Sequence, residues 1–304
     1  MKNTHIEHPE DSILTGALAV LDAFLMTCHL SVKFDGAPAI VWGTNPATGN
    51  QFVGTKSVFN KKKIMINETH NDIDRNHAGP VADILHACMD YLPDEDGIIQ
   101  GDFIGFGGEQ EYTPNTITYE FPFVVDENII VAPHTVYTAE SDLRDAVAAP
   151  LTTELDSTDC CKFVIPRAYV WHGQYPAFEG DFKTDFAQLI EVVKFAKVMA
   201  DTVAFVSEKE AKQYKKELNG CIRTGEEINA DDWENKNLIS FWLLVKSIKE
   251  DALRLCRYAH GPAAYIGQDP ITAEGFVMSN KMGTYKLVNR EVFSHANFSM
   301  GVGA

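Results

Sequence analysis

Two strand-rich stretches on either side of a helical block predict an α+β fold for this 304-residue chain. Three observations carry the prediction. Residues 31–59 and 97–171 hold short runs rich in β-branched and aromatic side chains, punctuated by Gly and Pro. Residues 183–261 instead space their charges every three or four positions and leave wide apolar faces, as amphipathic helices require. Strand texture then returns from residue 272 to 290. The expected organisation is a core of antiparallel sheets with flanking helices over 1–182 and 262–304, interrupted by a helical insertion over 183–261.

In chain order, residues 14–25 (TGALAVLDAFL at the end) predict a short helix. The run 32–42, the turn-rich TNPATGN (44–50) and QFVGTKSVF (51–59) together predict a hairpin. PVADILHACMDYL (80–92) opens with Pro, spaces its apolar residues helically and stops before Pro93, so it reads as a helix. GIIQGDFIGFG (97–107), ITYEFPFVVD (117–126), NIIVAPHTVYT (128–138) and CKFVIPRAYVW (161–171) read as strands. FAQLIEVVKFAKVMADTVAFV (186–206) and residues 237–258 are the strong helices of the insertion, the second stopping by Gly261. TAEGFVMSNKMGTYKLVNR (272–290) closes the pattern as a second hairpin.

Composition narrows the function. A formal net charge of −17 excludes a broad basic surface for coating nucleic acid, because phosphate neutralisation dominates such binding. Contact with a polyanion must be local, and the one dense basic cluster is Lys56 with Lys61, Lys62 and Lys63; its plain alternative is a solvated loop. The apolar runs are too short to span a bilayer and MKNTHIEHPEDS lacks a signal-peptide layout, so a cytoplasmic protein is expected. Six cysteines without a CxxC pair read as reduced thiols, the vicinal Cys160 and Cys161 being the one irregularity. His70, Asp72, Asp74 and His77 in THNDIDRNH offer ligand chemistry without a recognised metal spacing and read as a hydrogen-bonded loop. GDFIGFGG lacks the Lys-Ser/Thr ending of a phosphate-binding loop, and no G-x-S-x-G elbow supports a hydrolase.

Four pieces share strand context: VKFDG with Lys33, IIQGDFIG with Asp102, AEGFV with Glu274 and TYKLV with Lys286. In a regular strand Lys33 and Asp35 share a face, as do Glu274 and Phe276. Carboxylates beside two lysines suit a triphosphate and its Mg²⁺, oxygen ligands for the hard cation and ammonium groups for the phosphates. The ordered set resembles the covalent nucleotidyltransferases: ATP-dependent DNA ligases, RNA ligases and mRNA capping enzymes. Separately, HIEHPEDSIL, KFDGAPAIVWG, GTKSVFNKKK and DIDRNHAG resemble proteins of large tailed phages, which implies the host cytoplasm.

The ligase resemblance implies a ligase-type adenylation core, ATP and Mg²⁺ as cofactors, and a role for each matching residue. Lys33 is the nucleophile that becomes lysyl-AMP, and Lys286 contacts the α-phosphate. Asp35 and Gly36 complete the nucleotide motif, with the glycine permitting close backbone approach. Asp102 and Glu274 hold the metal, Lys56 lies by the ribose or second substrate, and either Phe121 or Phe123 stacks on the base, unless each is simply core. Two positions depart from the pattern: Pro38 stands where DNA ligases carry arginine, and Val288 replaces a second lysine. Only eighteen residues follow Lys286, which predicts no OB-fold and leans the expectation towards an RNA ligase-like enzyme acting on an RNA end through the local lysine cluster. The alternatives are a nucleotide-binding protein that has lost the reaction, or AMP transfer to an acceptor other than nucleic acid.

Overall fold

The computed structural model describes residues 6–172, 175–178, 187–258 and 260–293. Its described residues form a mixed α+β chain in two compact units, one of residues 34–166 and 260–271, the other drawn from residues 6–33, 167–258 and 272–293. The chain changes unit after Lys33, Pro166, residue 259 and Ile271, so the Lys-x-Asp-Gly motif is divided between them. The helical block expected over 183–261 groups with the first and last strands in the second unit, and its expected start at residue 183 lies outside the described residues.

In the first unit, β2 (Ala39–Thr44) and β3 (Gln51–Gly54) form a hairpin whose turn places Gly49 at φ 76. β2 pairs with β4 (Ile98–Phe106) and β4 with β7 (Ile129–Thr138), all antiparallel; β7 also carries β8 (Val147–Pro150) and, in parallel, β9 (Cys161–Phe163). Strand alternation turns Ile40, Trp42, Ile99 and Phe103 to one face, where helix α4 (Pro80–Tyr91) packs Ala82, Leu85 and Cys88. Val41, Ile98, Tyr137 and Leu143 fill the other face. Ahead of α4, helix α3 (His70–Asn76) starts at Thr69 with a capping box closed by Asp72. A second sheet runs β14 (Asp269–Ile271), β13 (Ala263–Ile266), β6 (Thr118–Glu120) and β5 (Glu111–Tyr112).

The second unit holds a three-stranded sheet in the order β1 (His29–Lys33), β15 (Gly275–Asn280) and β16 (Gly283–Val288). A smaller sheet joins β11 (Tyr175–Phe178), β10 (Tyr169–His172) and β12 (Cys256–Arg257). Its long helices are α5 (Ala187–Ala200), α6 (Glu208–Thr224) and α7 (Lys236–Leu255). None of the helices among the described residues is long and apolar enough to cross a membrane.

Several expectations change in detail. THNDIDRNH, expected as a loop, holds helix α3; of the run 117–126 only Thr118–Glu120 is strand; and 161–171 splits into β9 and β10. The helix expected over 14–25 is broken into a 3₁₀ turn, Ile13–Thr15, and the short α2 (Ala19–Ala23), because Gly16 turns left-handed at φ 80 and donates its N–H to the Ile13 carbonyl. The run 32–42 is two strands, since β1 ends at Lys33 and Ala37 donates instead to the Phe103 carbonyl while Phe103 donates to that of Pro38. Lys33 and Asp35 therefore do not share a strand face, and Lys56 lies in a 3₁₀ turn beyond β3. Finally, α7 stops at Leu255, ahead of Gly261, where Cys256 and Arg257 pair with β10.

The second unit is also held by buried charge. Glu10, in α1 (Pro9–Ser12), accepts a 2.6 Å hydrogen bond from Lys249 of α7 and one of 3.1 Å from Arg290. Asp11 accepts from Arg290 at 3.0 Å and from the Trp242 indole at 3.1 Å. Glu10 and Lys249 are fully buried. Burial alone pushes the Glu10 carboxyl up, but Lys249, His8 and Arg290 outweigh it and hold the group below its usual range.

Candidate functional site

The register of the three-stranded sheet decides which side chains can act together. His29, Ser31 and Lys33 of β1 oppose Ser279, Val277 and Gly275 of β15, and these oppose Thr284, Lys286 and Val288 of β16. Alternation puts all of these on one face. The opposite face, Leu30, Val32, Phe276, Met278, Tyr285 and Leu287, is buried and carries the packing. Lys33 and Lys286 thus project from the same, polar face, with α-carbons roughly 12 Å apart from strand spacing and rise.

Glu274, the residue before β15, places its carboxylate on the Lys33 ammonium, the two side chains being 14% and 27% exposed. That exposure leaves the pair reachable by a ligand. Gly275 stands directly opposite Lys33, and a β-carbon there would lie 2.3 Å from the Leu287 carbonyl oxygen and 2.7 Å from Val288 Cγ2. The missing side chain both lets β15 and β16 close up and keeps the ground beside Lys33 clear. Val288, at the position where a second lysine was expected, adds an apolar side chain to this face and is buried. Lys286 is partly exposed, and its backbone N–H donates to the Glu7 carbonyl.

The remaining candidates belong to the first unit. Asp35 is tied into that unit's own backbone: its carboxylate accepts from the N–H groups of Thr116 at 2.8 Å and Ile117 at 3.2 Å and from the Asn115 side chain at 2.9 Å. Its own N–H donates to the Tyr119 hydroxyl. Gly36 is required by packing, since a β-carbon would lie 2.7 Å from both Asp102 Cβ and the Phe103 carbonyl oxygen. Pro38 follows a cis peptide from Ala37.

Asp102 lies on β4 between Ala39 and Ala132, and its carboxylate is 3.6 Å from Nε2 of His134. His134 is the extra residue of a bulge where β7 slips against β4, next to Pro133, whose missing N–H cannot continue the ladder. Tyr137 donates to Gln100 at 2.7 Å, and Gln100 Nε2 lies 3.4 Å from Nε2 of His134. Sequence reasoning passed over His134; its only signal was a proline inside a strand-like run. Phe121 is core, edge-on to Tyr112 at 5.7 Å, whereas Phe123 is 79% exposed. Lys56, Lys61, Lys62 and Lys63 are all exposed. Among the described residues, no three or more His, Cys, Asp or Glu side chains gather into a metal-binding group.

A model described as a family of unknown function, DUF6267, matches residues 3–241 and 226–301. Comparison with the curated proteins and with the solved structures returned no match.

Proposed function

The chain belongs to DUF6267, and from its own residues we propose that it is an ATP-dependent, Mg²⁺-requiring nucleotidyltransferase of the ligase type, closest to RNA ligases, which forms lysyl-AMP at Lys33. The observation that supports this reading is the shared polar face of Lys33 and Lys286, with Glu274 on the Lys33 amine. Lys33 and Lys286 lie on the outer strands of one small sheet, and Glu274 precedes its central strand.

In the proposed reaction the Glu274 ion pair opens and the Lys33 ammonium gives up a proton to solvent. The neutral nitrogen attacks the α-phosphorus, the N–P bond forms, the bond from phosphorus to the pyrophosphate oxygen breaks so that pyrophosphate leaves, and the nitrogen gives up a second proton to solvent. Lys286 offers a positive charge to the α-phosphate as negative charge builds on its oxygens. Glu274, partly exposed and an oxygen donor, fits a Mg²⁺ ion that also takes ligands from phosphate and water; Asp102 has the same chemistry in the first unit. Such an ion would neutralise charge on the leaving pyrophosphate. Of the two candidate rings for base stacking, Phe123 is exposed and Phe121 is committed to the core. An RNA end is the proposed acceptor, met by the exposed Lys56 and Lys61 to Lys63 cluster.

Incubation with α-labelled ATP and Mg²⁺ followed by denaturation is expected to leave label on the protein. Lys33→Ala abolishes the label, and Lys286→Ala lowers its rate of appearance by at least a hundredfold. A second reading, nucleotide binding without transfer, draws on Val288 in place of a lysine on the same face. It predicts ATP binding that survives Lys33→Ala and no covalent label with any nucleotide.

A further inference from the structure

Helices α3 and α4 each carry a histidine and, four residues later, an aspartate: His70 with Asp74, His86 with Asp90. The contacts cross between the helices. His70 Nε2 lies 3.0 Å from Asp90 and His86 Nε2 lies 3.1 Å from Asp74. The two Nδ1 atoms face each other at 2.7 Å, with the ring planes 16° apart and the centroids separated by 5.0 Å. The centroid distance exceeds the nitrogen distance by two imidazole radii, so the rings meet edge to edge with their Nδ1 atoms in line.

Only one proton count satisfies all of these contacts. Each carboxylate accepts from an Nε2–H, which leaves the two Nδ1 positions to share whatever protons remain. With none, two lone pairs oppose each other, and with two, N–H opposes N–H. With one, the N–H of one ring donates to the lone pair of the other, and the pair is a cation between Asp74 and Asp90. Charge-assisted hydrogen bonds of that kind are the short, strong ones. Of the other charged groups on the two helices, Asp72 is held by Arg75 and the Thr69 cap, and Asp83 lies in the first turn of α4. His77 ends α3, where burial and then Lys63 disfavour its protonated form. Strands β3 and β7, which pack on α4, bring no Asp, Glu, Lys or Arg, and the His134 of β7 lies beside Asp102. Leu151 and Leu155 pack on the same core, and their segment carries Glu154 and Asp156.

Helix α3 also anchors the chain before it. Asn76 donates to the Asn67 side chain at 2.9 Å, and Asn67, fully buried, exchanges backbone hydrogen bonds with Val53 of β3. Lys61, Lys62 and Lys63 lie in the stretch between β3 and Asn67. We propose that one proton shared by His70 and His86 latches α3 to α4, and that gaining a second proton or losing the first opens the latch and loosens this lysine-bearing stretch. His70 and Asp90 are about half exposed, at 50% and 52%, so the proton exchanges with solvent while the helices stay folded. Ile73 keeps α3 on the core, which makes the release a local opening. The device does not rest on the reaction proposed at Lys33.

The test uses the full chain, labelled with ¹⁵N, from about pH 5 to 9, the span in which histidine changes charge. Long-range ¹H–¹⁵N spectra are expected to show, within that range, Nε2–H on both rings and a single proton correlated with Nδ1 at the pair. Hydrogen exchange, corrected for its intrinsic pH dependence and referred to Leu85 at the centre of α4, is expected to trace a bell. Protection of the Arg75, Asn76 and Asn67 amides falls about three- to tenfold on each side of the maximum. His70→Gln and His86→Gln each flatten the bell, and the double variant does no more than either alone. Asn76→Ala leaves the bell in α3 and removes it at Asn67. The spectra read the parent protein alone, so they decide the shared proton even where a variant folds poorly. Two rings that titrate independently, protection that changes in one direction only, a bell that survives both histidine substitutions, or an Asn67 amide that does not follow α3 overturns the proposal.

Discussion

Lys33 ends its strand with its amine on Glu274, and the neighbouring residues show how little space that arrangement leaves. Gly275 is the sharpest case, because an added methyl group meets the Leu287 carbonyl, and backbone cannot step aside as a flexible side chain can. Gly275→Ala is expected to destabilise the second unit by about 1–3 kcal/mol. Urea unfolding measures it, and an unchanged midpoint would show that the strands part without cost. Lys33, Glu274 and Lys286 stand in a fixed order with distinctive neighbours, and that order is the part of their placement on one sheet that a sequence records. Asp35 was not legible in the same way. An Asp-Gly after a strand looks alike whether it faces a ligand or binds backbone, and its partners Thr116 and Ile117 are 81 and 82 residues away. His134 was hidden for a related reason: a bulge depends on the register of the partner strand, which no single strand's pattern records.

At the scale of elements, α1 and α7 are joined by an ion pair with no exposure at all. Lys249→Met leaves Glu10 without its shortest partner in a site closed to water, and is expected to cost about 3–5 kcal/mol in equilibrium unfolding. Adding Glu10→Gln to that variant removes the buried charge and should restore much of the loss; an additive double variant would contradict the coupling. His8, beside this network, is driven down to about 3, chiefly by burial, although Glu10 pulls the other way. Its folded value lies below the unfolded one of about 6.5, so the unfolded chain binds more protons as pH falls. The stabilisation is complete above pH 6.5 and declines from there towards pH 3. Lowered Glu10 acts in the same direction below about 4.5, while burial raises Asp11 and opposes it. Unfolding measured from pH 7 to 4 should show the slope, and His8→Phe should flatten it between pH 6.5 and 5. The sequence predicted α4, α5 and α7 from apolar spacing. It missed α6 because charges crowd it; Ala211, Leu218 and Ile222 form a thin buried stripe, and the Ser207–Glu210 capping box and Gly225 do much of the defining.

For the whole molecule, the expectation of strands flanking a helical block described the order of elements but not their grouping. Strands β1, β15 and β16 gather with the helices into one unit, while the segments between build the larger sheet of the other. Local patterns report period and turns, and the choice of partner is a long-range matter of which apolar faces match. The proposed activity rests on the three-stranded sheet, where the most distant parts of the sequence are neighbours: Lys33 pairs with Gly275, and Lys286 lies on the next strand. The most direct measurement is mass spectrometry of the intact protein after incubation with ATP and Mg²⁺, followed by peptide mapping under conditions that spare a phosphoramidate. The account predicts a single AMP adduct, located on Lys33 and removed by added pyrophosphate. An unmodified protein, or an adduct on a different residue that persists in Lys33→Ala, would contradict it.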